Sequence, residues 1–314
     1  MVDFLLQVMG LRGESLADPS GSARVADRQM YEAGIVAVGD ISNNISSLPI
    51  KAGSPLYYHT FVEVAGFVPS GAEARLQQAL QVYNGMCRVL GEESVSLSPH
   101  APYSVSRPLF EALNKASAGR CLTIHNQESE AENQFYQSGK GDFPRLYATL
   151  NLNIDFFSPP GTTSLGAYLP WLSLPRSILL VHNVAASRDD IALTRTLTPE
   201  FFWCLCPGAN LYIQQALPPV GLLRKEGCAI TLGTDSLASN YGLSILSEMK
   251  IIQDEFPEVP LQELLGWATL NGAKALHIND RFGSFAKGKQ PGVILLRQLE
   301  EGRISGQTKV SRLL

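Results

Sequence analysis

The sequence predicts an α/β fold: a TIM-type (β/α)₈ barrel short by one strand, followed by a tail of short antiparallel strands. Three observations predict it. Short runs of β-branched and aromatic residues alternate with longer stretches that carry apolar residues at helical spacing, and this strand-then-helix unit recurs seven times. Open doubly wound sheets rarely have so many units in a row, whereas a barrel needs eight and ~250 residues, which a chain of 314 residues accommodates. Ionisable residues also fall repeatedly at strand C-terminal ends, where such a barrel builds its site.

The elements follow in order. Asp3 to Leu11 places Phe4, Leu5, Val8 and Met9 on one helical face, and Ala23 to Ala33 reads as a second helix capped by Gly34. Ile35 to Asp40 and Tyr57 to Val64 read as strands, Gly71 to Leu90 as a long helix, and Ser94 to Ser98 as the third strand. Pro108 to Ala118 reads as a helix, with Ser106 as N-cap and Pro108 in the first turn. Further strands are read at Cys121 to His125, Ser177 to His182, Phe201 to Cys206 and Ala229 to Asp235. Helices are read at Glu128 to Gln137, Arg188 to Leu197, Val220 to Glu226, Leu243 to Phe256 and Leu261 to Leu276. Ser158 to Ser164 reads as a loop inside the barrel. Val293 to Arg297 and Lys309 to Leu314 read as antiparallel strands, so the expected division is a barrel at 1–284 and a separate tail at 285–314.

Composition narrows the function. At 45% hydrophobic and 17% charged, the chain can bury a sizeable core and is not a disordered tail. A net charge of −4 without a basic run argues against nucleic acid as the main partner. No apolar stretch reaches the ~20 residues of a membrane helix, and the N-terminus makes a poor signal peptide. Five scattered cysteines without a CxxC fit reduced thiols, so a cytoplasmic location is expected.

His100, His125, His182 and Asp235 each follow or end a predicted strand. Singly, a histidine there is more often a satisfied polar residue, and an Asp after Gly-Thr serves as a helix N-cap. Four coincidences on four strand ends favour one shared site. Imidazole and carboxylate together suit Zn²⁺ or Fe²⁺, which makes hydroxide available from water near neutral pH. Glu128, three residues beyond His125 at the start of the next helix, can turn back over that site to move protons. Glu63 is a candidate rim residue touching substrate, and His59 and His277 read as structural. Cys204 and Cys206 point to one side of a strand, where a soft-metal site is conceivable. Tyr168 and Trp171 line the pocket mouth or pack elsewhere.

These segments carry a resemblance. Leu97-Ser-Pro-His-Ala-Pro-Tyr-Ser-Val-Ser106 resembles the HAPYTVS segment of the metal-dependent amidohydrolases, in the branch of cytosine deaminase-related, guanine deaminase-like and atrazine chlorohydrolase-like enzymes. Thr123 to Ser129 resembles that branch's HxxE segment, His182-Asn its next histidine, Cys206-Pro-Gly-Ala-Asn210 its CPxSN loop, and Leu232 to Asn240 its metal-binding aspartate segment. Ala268 to Ala273 and Gly288 to Gly292 resemble its last helix and its return to a small β-sandwich, of which 285–314 would be the C-terminal part.

The resemblance implies His125 and Asp235 as metal ligands, Glu128 as proton shuttle and His182 as hydrogen-bond donor to water or oxyanion. It implies His100 as a substrate contact, with Asp235 also able to accept a proton. It implies one divalent metal, a small-molecule substrate and, at the family level, a homodimer. The expected reaction is hydrolysis of a non-peptide C–N bond, foremost deamination of a purine, pyrimidine or related heterocycle. An amide or halogenated-ring hydrolase is a weaker option.

The chain departs from the family at its start. The family's first strand carries a His-x-His pair that supplies two ligands, and no HxH occurs here. Met1 to Val8 looks like the helix after that pair, so the absent strand is the first. Either the chain is an N-terminal truncation, the favoured expectation because Glu128 and the remaining polar set are retained, or it is a barrel that lost its metal and binds a metabolite or partner. The expectation is that this polypeptide alone is poorly soluble and inactive.

Overall fold

The computed structural model describes residues 1–11 and 19–314. Strands β1 (Ala37–Ser42), β2 (Tyr57–Val64) and β3 (Val95–Pro99) form one parallel sheet in that order. Strands β4 (Cys121–Asn126), β5 (Ser177–His182), β6 (Glu200–Leu205) and β7 (Ala229–Leu232) form a second. The seam between them is closed by the His125 N–H donating to the His100 carbonyl at 2.9 Å and the Thr123 N–H donating to the Ser98 hydroxyl at 3.1 Å. The seven strands thus follow one another in the predicted barrel order. Among the described residues, the outer edges of β1 and β7 have no strand neighbour.

Side-chain alternation explains why the strands read as continuous apolar runs. Val62, Leu97, Leu122, Ile124, Ile178, Leu180, Trp203, Leu205 and Ile230 share one cluster with the surrounding helices. The intervening positions Phe61, Cys121, Leu179 and Phe202 pack on Ala273, Ala275, Leu276 and Ile278, around the other end of the strands from the ionisable residues. His59, on the same inward face, is buried beside Ser96, whose hydroxyl lies 3.0 Å from Nε2.

Burial, with the charges of His277 and Arg120, lowers the His59 pKa to about 4. The unfolded chain protonates this ring below about 6.5 while the folded one stays neutral. Stability should therefore fall as pH drops from 6.5 to 4, by about 3 kcal/mol from this group. The stability gap between His59→Gln and the parent, read from urea midpoints, should shrink by about that amount between pH 7 and pH 4. An unchanged gap would show that the ring is not held neutral.

Helix boundaries follow local chemistry. Ser187 and Asp190 form a reciprocal capping box on helix Arg188–Thr194, and Gly139 in the left-handed region ends helix Glu130–Ser138. Four short helices were not read from the sequence: Leu48–Gly53, Phe143–Thr149, Ser164–Tyr168 and Pro207–Gln214. The last begins inside the Cys-Pro-Gly-Ala-Asn segment, with Pro207 in its first turn, where a missing N–H costs nothing. No described helix is long and apolar enough to cross a membrane.

In the tail, β8 (Ile294–Arg297) and β9 (Lys309–Arg312) pair antiparallel, and Arg312 donates to the carbonyls of Tyr31 and Ile35 at 3.0 and 2.7 Å.

Candidate active site

Glu63, His100, His125, Glu128 and His182 converge at the C-terminal ends of β2, β3, β4 and β5. Two overlapping groups, Glu63–His100–His125 and His125–Glu128–His182, hold ligand-capable atoms within 4.8 Å of one another. His125 belongs to both. Its Nε2 lies 3.4 Å from Glu63 Oε1 and its Nδ1 lies 3.0 Å from His182 Nε2. Asp235 belongs to neither group. It lines the same cavity as His125, and its charge acts on both His125 and His182.

Hydrogen bonds hold the rings in place. Ser104 Oγ lies 2.6 Å from His100 Nδ1 and 3.1 Å from the Ala101 carbonyl. Asn210 Nδ2 lies 3.0 Å from His182 Nδ1, so that nitrogen accepts and the proton of the neutral His182 ring is on Nε2, the atom 3.0 Å from His125 Nδ1.

Backbone strain gathers here. Gln127, His182, Asn183 and Asp235 all have positive φ, at 45°, 77°, 62° and 55°. Each such residue costs of the order of 1 kcal/mol and persists only where its surroundings hold it. Alternation alone would send His182 to the side of Ile178 and Leu180, against the helices. The left-handed backbone at 182 and 183 turns the ring back onto His125. Asn183 is held by the Asn126 carbonyl at 2.9 Å and by its own amide on the Leu180 carbonyl at 2.7 Å.

Glu128 precedes its helix rather than beginning it, since the helix starts at Glu130 with Ser129 as N-cap. Glu132 holds this turn. The Ser129-x-x-Glu132 spacing reads as a capping box, yet Glu132 accepts from the backbone N–H groups of Gln127 and Glu128, at 3.0 and 3.2 Å, and from the Ser164 hydroxyl at 2.5 Å. Gln214 donates to the Glu128 carbonyl from the other side. Sequence reasoning gave no role to Glu132, Ser164 or Asn210, although the capping-box spacing pointed to the first and the CPxSN-like loop contained the last. Tyr168 is buried and donates to Asn126 at 2.8 Å, and Trp171 lies beside Phe110, so neither lines the cavity mouth.

The electrostatics divide the roles. Burial, aided by the charge of Asp235 and opposed by that of His125, pushes the Glu128 carboxyl up to about 7. Burial pulls His125 down, but the hydrogen bond and charge of Glu63, with the charges of Glu128 and Asp235, carry it to about 9. Burial holds His182 neutral, near 3. Burial raises Asp235, yet the two imidazoles, the Ser239 hydroxyl and the Ser236 N–H bring it below the ordinary carboxylate value.

A cavity of about 1190 Å³ opens beside these groups, lined by residues of both open edges (Ala37 to Ile41 and Thr231 to Gly233) together with His125, Asp235 and Val181.

Comparison with known proteins gives the following. The model of the Amidohydrolase family matches residues 23–309. An adenosine deaminase of Helicobacter pylori is 26% identical over 298 residues, covering 88% of this chain and 68% of that protein. A 5-methylthioadenosine/S-adenosylhomocysteine deaminase of Teredinibacter turnerae is 27% identical over 214 residues, covering 65% of this chain and 43% of that protein. The chain therefore spans between under half and about two thirds of the length of these relatives. The structure of an adenosine deaminase from Xanthomonas campestris with bound zinc superposes with a TM-score of 0.66 at 20% identity, covering 93% of this chain and 65% of that one, and shows the shared fold.

Proposed function

The chain belongs to the amidohydrolase family, and from that premise we propose that its site serves a metal-dependent aminohydrolase that replaces the exocyclic amine of an adenosine-type substrate with oxygen. The observation that carries this reading is the buried carboxyl of Glu128, grouped with the imidazoles of His125 and His182 so that their ligand-capable atoms lie within 4.8 Å of one another. Deaminating relatives support the substrate class.

The residues fit a divalent ion. Imidazole and carboxylate donors surround His125 on two sides, the donor types that zinc takes in catalytic sites. His125, shedding on binding the proton that Glu63 favours, and Asp235 would hold the ion, and zinc is favoured because a relative of this fold carries it. Bound there, the metal supplies Lewis acidity that makes water nucleophilic at neutral pH.

The chain's own groups do the rest. Glu128, its carboxyl pushed up from the ordinary value by burial, takes a proton from water and returns it to the leaving amine. His182, kept neutral, presents Nε2–H as a donor to oxygen as charge develops there. His100 and Glu63, on adjacent strands, face the substrate ring and orient it.

The test is to load the purified chain with zinc and measure ammonia release from adenosine, 5′-methylthioadenosine, S-adenosylhomocysteine, guanine and cytosine. Release from the adenosine-type compounds, abolished by a chelator and restored by zinc, is the result this reading requires, and it would overturn the inactivity expected from the absent His-x-His pair. Tight zinc uptake with no ammonia from any of the panel would favour a barrel that binds without turnover.

A further inference from the structure

Two thiols in the cavity wall have no part in the reaction above. Cys204, on β6, and Cys206, just past its end, are buried and project from the strand's inward side, at the i, i+2 spacing that places side chains on one face. The register sets Cys204 against Thr231 on β7, and the Gly233 N–H donates to the Leu205 carbonyl at 2.9 Å. Gly233 therefore sits opposite both sulfurs. A Cβ built on it would lie 3.0 Å from Cys204 Sγ and 3.1 Å from Cys206 Sγ. The absence of that carbon leaves a small cradle bordered by both sulfurs. Their proximity couples the two thiols, lowering Cys204 and raising Cys206 from the ordinary thiol value.

We propose that Cys204 and Cys206 form a two-thiol site for a soft, thiophilic metal or metalloid, whose occupant would sit against Gly233 in the wall of the His125–Asp235 cavity. Three features support it. Both sulfurs border one point, so a single soft centre can bridge them. Both line the same cavity of about 1190 Å³, which gives a probe its route. The other three cysteines, Cys87, Cys121 and Cys228, lie elsewhere in the fold and none lines that cavity.

A trivalent organoarsenical oxide is the matched probe. Each arsenic atom forms two As–S bonds while both thiol protons leave with the oxide oxygen as one water molecule, and arsenic remains trivalent throughout. Ring closure by the second thiol is intramolecular, which raises affinity by about 10²-fold or more over a single thiol.

The experiment treats the metal-free chain with phenylarsine oxide and reads the adduct by native mass spectrometry. The expected result is one adduct per chain, released by a dithiol but not by a monothiol, and mapped by proteolysis to the peptide holding residues 204 and 206. It should persist in Cys87→Ser/Cys121→Ser/Cys228→Ser and in His125→Ala, which separates it from the deaminase reading. It should fall by about 10²-fold in affinity in Cys204→Ser and in Cys206→Ser. Gly233→Ala, whose methyl group fills the cradle, should weaken it with both thiols present. No adduct in the parent chain, an adduct mapping to another cysteine, or one that keeps its affinity in both single-serine variants would overturn the proposal.

Discussion

Glu128→Gln should lower kcat for ammonia release by about 10²–10⁴-fold while zinc content stays at the parent level, because general acid–base catalysis is worth that much and an amide cannot carry it. The change is nearly isosteric. The side chain is buried, and its carboxyl is held near 7 chiefly by loss of water, so a neutral amide is tolerated in its place. Zinc analysis and single-turnover rates on the same sample would check both halves. A variant turning over within about threefold of the parent would remove Glu128 from the proton path.

His125→Ala should weaken zinc binding by more than about 10²-fold, since even partners outside the ligand shell cost 10–100-fold when removed. His125 is the one side chain common to both donor groups, so its loss leaves neither complete. It also strips Glu63 and His182 of the ring between them. Competition against a chromophoric chelator measures the effect. An unchanged zinc affinity would mean that the ion is held elsewhere. The two variants separate cleanly: one keeps the metal and loses turnover, the other loses both.

Much of the fold was legible because parallel strands covered on both faces are rich in apolar residues on both of their sides. Tyr57–Val64 and Ser177–His182 begin and end where their composition says, and Cys121–Asn126 runs one residue further. Strand ends were harder. The run Ala229 to Asp235 reads as one strand, yet β7 stops at Leu232, and Asp235 lies three residues on with left-handed φ. Short helices such as Ser164–Tyr168 escaped because five residues carry too little periodicity.

The candidate site was partly legible for a different reason. In a barrel, a strand's last residue faces the same rim whichever strand it is on, so His125, His182 and Asp235 could be grouped from position alone. Glu63 was legible only as a rim residue, because nothing in Tyr-Tyr-His-Thr-Phe-Val-Glu-Val tells that its carboxylate reaches a histidine two strands away.

The sequence by itself determined the barrel order of strands and helices, the rim on which the ionisable residues stand and the residue types that suit a divalent metal. These depend on local composition and on a two-residue side-chain period that the chain carries in itself. The tertiary structure alone decided that His182 turns inward on a strained backbone and that Glu132 braces the Glu128 turn. It also decided that Asn210 fixes a tautomer and that Gly233 leaves room beside two sulfurs. Each of these arises where segments distant in the chain meet, and a hydrogen bond or a missing Cβ has no meaning until the neighbour that contacts it is in place.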